Sequence, residues 1–142
     1  MRIGIFAVAA AMTVLAASAA GAAVLHFSAK LDGASETPPN DSKGVGMAWV
    51  DLDTASKKLD WKVDYSGLTG PATMAHFHGP APVGKAAGVA VPLKGDMASP
   101  LKGSATLTDA QIGDLQAGMW YVNVHTAAHP GGEIRGQVTP AK

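Results

Sequence analysis

The chain has 142 residues, with 11 basic and 11 acidic side chains and a formal net charge of zero at pH 7. This balance, without any cluster of basic residues, argues against a nucleic acid as a partner. The chain contains no cysteine, which excludes disulfide bonds, thiolate ligands and thiol catalysis. Any metal site must therefore be built without thiolates.

Residues 1–22 are predicted to be a secretory signal peptide. Arg2 supplies a positive charge, residues 3–17 are apolar and uncharged, and small residues suited to cleavage follow. The apolar run is short for a membrane span, which needs about 20 residues. We therefore expect a periplasmic or secreted protein with no stable membrane span after cleavage. Residues 23–142 then form one domain, because about 120 residues is an ordinary domain size.

Segments in which apolar and polar residues alternate predict an all-β, antiparallel domain. In the clearest segment Leu59, Trp61 and Val63 share one face, and charged residues take the other. Their number and spacing indicate a Greek-key-like β-sandwich or barrel of about eight strands. The predicted strands cover residues 24–31, 45–52, 59–66, 74–78, 88–93, 101–107, 119–126 and 133–139.

One short helix is predicted between the last strands. Thr108 is a suitable N-cap, residues 109–117 follow, and Gly118 is suited to ending the helix. The large aromatic side chains lie on predicted strands and are expected in the core; they are Trp49, Trp61, Tyr65 and Trp120.

Three of the five histidines lie in two strand-like segments. His76 and His78 are two residues apart, so their side chains point to the same face of an extended strand. His125 lies near the end of another predicted strand. Neutral imidazole is a common ligand of copper and zinc. The pattern therefore predicts a Cu or Zn site formed by His76, His78 and His125.

Two further residues are candidates for a fourth ligand. His129 lies in the turn after His125, and Glu133 follows it and could bind the ion or support a ligand. An alternative for Glu133 is a charge ladder with Arg135 on an exposed edge strand. His26, in the first strand, is expected to be a structural or surface residue.

Two other functions remain open from the residues alone. The histidines could hydrogen-bond across strands in a structural or protein-binding module without metal, or a copper site could perform redox chemistry as an enzyme. No catalytic residues are assigned, because the serines and carboxylates lack a recognisable catalytic pattern. Imidazole nitrogens within about 4–5 Å of a common point would favour the metal site, whereas rings that point apart would favour the module.

Several long segments, in the right order, resemble the CHRD family. They are LDGASETPP (31–39), LDWKVDYSGL (59–68), AHFHGPA (75–81), GMWYVNVHT (118–126) and PGGEIRGQV (130–138). The resemblance implies an all-β extracellular module with no general catalytic activity and with an extracellular protein as a possible kind of partner. His76, His78 and His125 fall within the family's pattern, whereas the family more often has another residue at the position of His129.

Overall fold

The computed structural model describes residues 21–142. The predicted signal peptide falls almost wholly on residues 1–20, outside the described part of the chain, and it stays a prediction. Within residues 21–142, no helix has the length and apolar character needed to cross a membrane.

The described residues form eight strands and one helix. The elements are β1 (Val24–Asp32), β2 (Val45–Asp53), β3 (Lys58–Ser66), β4 (Ala72–His78), β5 (Val89–Pro92), β6 (Leu101–Thr106), α1 (Asp109–Gln116), β7 (Trp120–Thr126) and β8 (Ile134–Pro140). The predicted all-β class, the number of strands and the short connecting helix are confirmed.

All eight strands belong to one antiparallel sheet, in the order β5-β4-β7-β8-β1-β2-β3-β6, which curves into a nearly closed barrel. Consecutive hairpins join β1, β2 and β3. The chain then crosses to the other side of the sheet, so that β7 pairs with β4 on one side and with β8 on the other. This non-local pairing brings together the two histidine-bearing strands.

The inward faces of the strands form one hydrophobic core. Phe77 is fully buried between Trp61 and Trp120, with ring centroids 5.6 Å and 5.8 Å away. Aromatic pairs at these separations add to the stabilisation from burial. Because successive side chains of a strand point to opposite faces, an inward Phe77 places His76 and His78 on the outer face of the barrel.

Helix α1 connects β6 to β7 as predicted. The Thr108 hydroxyl accepts a hydrogen bond from the backbone N–H of Gln111, and the Gln111 side chain accepts one from the Thr108 N–H. This reciprocal pair satisfies two of the N–H groups left free at a helix start. Gly118 has φ +72°, the left-handed conformation that commonly follows a helix, and Leu115 anchors the helix in the core.

Two sequence predictions about side-chain environment are wrong. Trp49 is 44% exposed rather than in the core, because it lies on the outer face of β2, where the Lys62 ammonium sits 5.0 Å from its ring centre. The exposed charge ladder on the last strand is also absent from the described structure. β8 lies between β7 and β1 instead of at an edge, and Glu133 and Arg135 are both buried.

Candidate metal site

The three predicted histidine ligands meet on the outer face of the β4–β7 pair. Across this antiparallel pair His76 is opposite Asn123, and the next outward position toward the end of β7 is His125. Each of the three histidines offers a ring nitrogen, and these nitrogens all lie within 4.8 Å of one another. The geometric condition for a shared ion, set from the sequence alone, is met.

His76 and His125 make the closest contact of the cluster. His76 Nδ1 lies 3.1 Å from His125 Nε2. Two ligands of a tetrahedral ion with bonds of about 2.0–2.1 Å have nitrogens about 3.3 Å apart. The observed spacing therefore matches that of two ligands on one ion. It also suits a hydrogen bond between the two rings when no ion is bound.

Backbone carbonyl groups orient two of the three rings. His125 Nδ1 lies 2.9 Å from the carbonyl oxygen of Pro130, and His78 Nδ1 lies 3.0 Å from that of Ala87. A carbonyl oxygen only accepts, so a ring nitrogen that bonds to it carries the proton, as Nδ1 of His125 does toward Pro130. In a neutral His125 ring this leaves the lone pair on Nε2, which is the arrangement found in many metal-bound histidines.

The ring of His78 is held in place by its neighbours on β7. It stacks on Tyr121 with centroids 4.8 Å apart and planes within 4° of parallel. The guanidinium carbon of Arg135 lies 3.5 Å from the centre of the Tyr121 ring. The amide oxygen Oδ1 of Asn123 lies 3.0 Å from His78 Nε2, so both ring nitrogens of His78 face oxygens that only accept, and the neutral ring donates to one of them at a time. An ion bound by His78 Nε2 must therefore replace the contact with this amide.

Burial favours the neutral form of the outer histidines. The pKa of His76 is lowered from its ordinary value, first by burial and then by the nearby His125 and His78. Burial is also the main cause that lowers the pKa of His78, against the opposing effect of its hydrogen bonds. Since a metal binds the neutral ring, both shifts extend the pH range in which these ligands are available.

The two candidate fourth ligands lie outside the group of three histidines. His129 Nε2 lies 3.5 Å from a carboxylate oxygen of Glu133. The fully buried Glu133 also accepts hydrogen bonds from the backbone N–H and the hydroxyl of Thr69 and, at 3.4 Å, from the hydroxyl of Thr126. These contacts give Glu133 the role of joining the segment after β3 to the end of β7.

Sequence reasoning assigned no role at the site to the polar groups that support the cluster. Arg135 donates to the Thr37 hydroxyl and to the backbone oxygen of Lys85, which fixes two loops over the outer face. Glu36 is buried beside these groups, and burial raises the pKa of its carboxyl. The available signal was the alternation along β7, which puts Asn123 on the same face as His125.

The fold and the site together define an eight-stranded antiparallel β domain with a three-histidine cluster on its outer face. The model of the CHRD domain matches residues 27–138, and the chain therefore belongs to the CHRD domain family. It is 35% identical over 117 residues to chordin from Xenopus laevis, an alignment that covers 76% of this chain and 12% of chordin. No solved structure matches the chain significantly.

Proposed function

We propose that this protein is an exported, non-enzymatic CHRD domain that binds a transition-metal ion, copper or zinc, through His76, His78 and His125. The observation that carries the proposal is the convergence of three imidazole nitrogens within 4.8 Å, two of them on rings whose Nδ1 lies within 3.0 Å of a backbone carbonyl oxygen. His76 and His125 are 49 residues apart in the sequence and come from two strands that pair in the sheet.

The donor set limits the kind of ion. Calcium and magnesium prefer oxygen ligands, whereas imidazole nitrogen suits copper and zinc. His125 is almost completely buried, but His76 remains partly exposed. An ion can therefore approach from the side of His76 and displace the contact between the two rings.

Titration of the purified domain with Cu(II) and with Zn(II), followed by calorimetry, tests this function. We expect one ion per chain in the wild type and loss of that site in the double variant His76→Ala/His78→Ala. His26→Ala is the matched control, because His26 is an exposed strand histidine that contacts Asp51 at 2.6 Å. Equal binding by the wild type and the double variant would contradict the proposal.

A second candidate function is a metal-free structural or protein-binding module. The specific observation in its favour is that His76, His78 and His125 all make hydrogen-bond contacts without an ion. In that case the double variant should lower the stability of the metal-free domain, and Cu(II) or Zn(II) should leave the wild-type melting temperature unchanged. An ion held specifically at a concentration of 100 times Kd should instead add about 2.7 kcal/mol.

A further inference from the structure

A methionine shares the outer face of β4 with the two histidines. Met74, His76 and His78 alternate along the strand, so all three side chains leave the sheet on the same side. In the pairing with β7 the irregularity lies between Ala72 and Met74, and regular pairing runs from Met74 to His78; the register shift between Phe77 and His78 belongs to the pairing with β5. The alternation therefore holds through all three residues.

The register across the sheet places Met74 directly opposite His125. Side chains of directly opposed residues in an antiparallel pair have Cβ atoms about 4.5–5.5 Å apart. Met74 thus neighbours His76 along its own strand and His125 across the pair, the two residues whose nitrogens are 3.1 Å apart. The methionine side chain has three rotatable bonds, which lets its sulfur adjust to a nearby ion.

The environment of Met74 is unusual for a methionine with a packing role. Its side chain is 48% exposed, whereas its strand neighbours Ala75 and Phe77 are buried in the core. Together with His76 it lines an open depression of about 280 Å³ on the surface. The thioether is therefore accessible from the side on which His76 is partly exposed.

We propose that the Met74 sulfur is a fourth ligand of this site and that the ion is copper, bound as Cu(I) as well as Cu(II). The inference rests on the proposed metal-binding function of the three histidines. A thioether is a soft ligand that favours Cu(I), whereas three imidazoles alone suit Zn(II) equally well. Met74 would then give the site its preference for Cu(I) over Zn(II).

The experiment compares the full domain with the variant Met74→Leu, which keeps the size and apolar character of the side chain. Cu(I) affinity is measured without oxygen by competition with bicinchoninate, and Zn(II) affinity by competition with a chromophoric chelator. We expect Met74→Leu to weaken Cu(I) binding by at least about tenfold and to change Zn(II) binding by less than about threefold.

Two control variants test two of the other methionines, Met47 and Met97. Met47→Leu removes a thioether from β2, a strand that does not pair with β4 or β7, and should leave Cu(I) affinity unchanged. Met97 lines the same depression as Met74 but packs against the core, so Met97→Leu should also retain the affinity. If Met97→Leu loses Cu(I) affinity and Met74→Leu does not, the assignment of the ligand to Met74 is overturned.

X-ray absorption by the Cu(I)-loaded protein gives a readout other than affinity. The chain has no cysteine and six methionines, so a sulfur neighbour of copper can come only from a thioether. It should be present in the wild type and absent in Met74→Leu. If the wild type binds neither ion, the proposed function itself fails. If it binds both ions and Met74→Leu behaves like the wild type, only the fourth ligand is refuted.

Discussion

Gly132 is a position where one methyl group should disturb both the fold and the polar groups beside the histidine cluster. It precedes Glu133 and has φ +126°, a conformation that residues with a side chain rarely adopt. A Cβ atom there would overlap a carboxylate oxygen of Glu36 and lie 2.7 Å from Nδ2 of Asn123. Gly132→Ala must therefore strain the backbone and displace at least one of these buried side chains.

The expected cost follows from these two effects. Holding a residue with a side chain in such a backbone conformation costs about 1–3 kcal/mol, and loss of a buried hydrogen bond costs about 0.5–1.5 kcal/mol. Together they predict that Gly132→Ala lowers the free energy of unfolding by about 2–4 kcal/mol. For a domain of about 120 residues the entropy of unfolding is near 0.25 kcal/mol/K, so the melting temperature should fall by about 8–16 °C.

Gly131→Ala is the matched control for this measurement. A Cβ atom at Gly131 would meet no atom within 4 Å, and this glycine does not have a positive φ. We expect the free energy of unfolding of Gly131→Ala to stay within about 0.5 kcal/mol of that of the wild type. Thermal unfolding of the metal-free proteins, followed by circular dichroism, compares the two. A melting temperature of Gly132→Ala indistinguishable from that of Gly131→Ala would refute the reasoning.

Three further predictions concern the core, the support of His78 and the response to pH. Phe77→Ala should cost about 3–5 kcal/mol in urea unfolding, whereas the exposed Trp49→Ala should cost less than about 1 kcal/mol; similar losses would contradict the assigned core. Tyr121→Phe keeps the ring stacked on His78 but removes the hydroxyl that bonds to the backbone of Ala87. The metal affinity, measured by titration, should fall by about threefold to tenfold, and an unchanged affinity would show that Ala87 needs no such support. Because the pKa of both His76 and His78 is lowered from 6.5, these two side chains bind fewer protons in the folded metal-free protein than in the unfolded chain just below that pH. The contribution of these two histidines to stability should therefore decrease as the pH falls through 6.5 and level off below the lowered values. Urea unfolding from about pH 8 to about pH 5 should show a flatter profile for His76→Ala/His78→Ala, and parallel profiles would contradict the assigned shifts.

The sequence predicted those features of the fold that depend on local alternation. The period of two along residues 59–66 predicts both the strand and its buried face, and Leu59 and Val63 are indeed fully buried. The helix start at Thr108 followed from capping chemistry that involves only neighbouring residues. Both signals are local because they arise from geometry repeated every two residues or within one helical turn.

The same local rule does not identify the strand that covers a given face. It predicted that Glu133 and Arg135 would be exposed on an edge strand, but β8 lies inside the sheet and loops cover its outer face. It also placed Trp49 in the core, although the inward face of β2 is formed by Ala48 and Val50. Edge or central position depends on which distant strands pair, and this information is absent from a short segment.

The sequence by itself determined that His76 and His78 share a face and that Phe77 takes the other, because side chains alternate in any extended strand. Only the tertiary structure decided that β7 pairs with β4 and in which register. That pairing puts His125 beside His76 and opposite Met74, and leaves His129 in contact with Glu133. The physical reason is that register is fixed by burial and hydrogen bonding across the whole sheet, so residues far apart in the chain meet only once the barrel has formed.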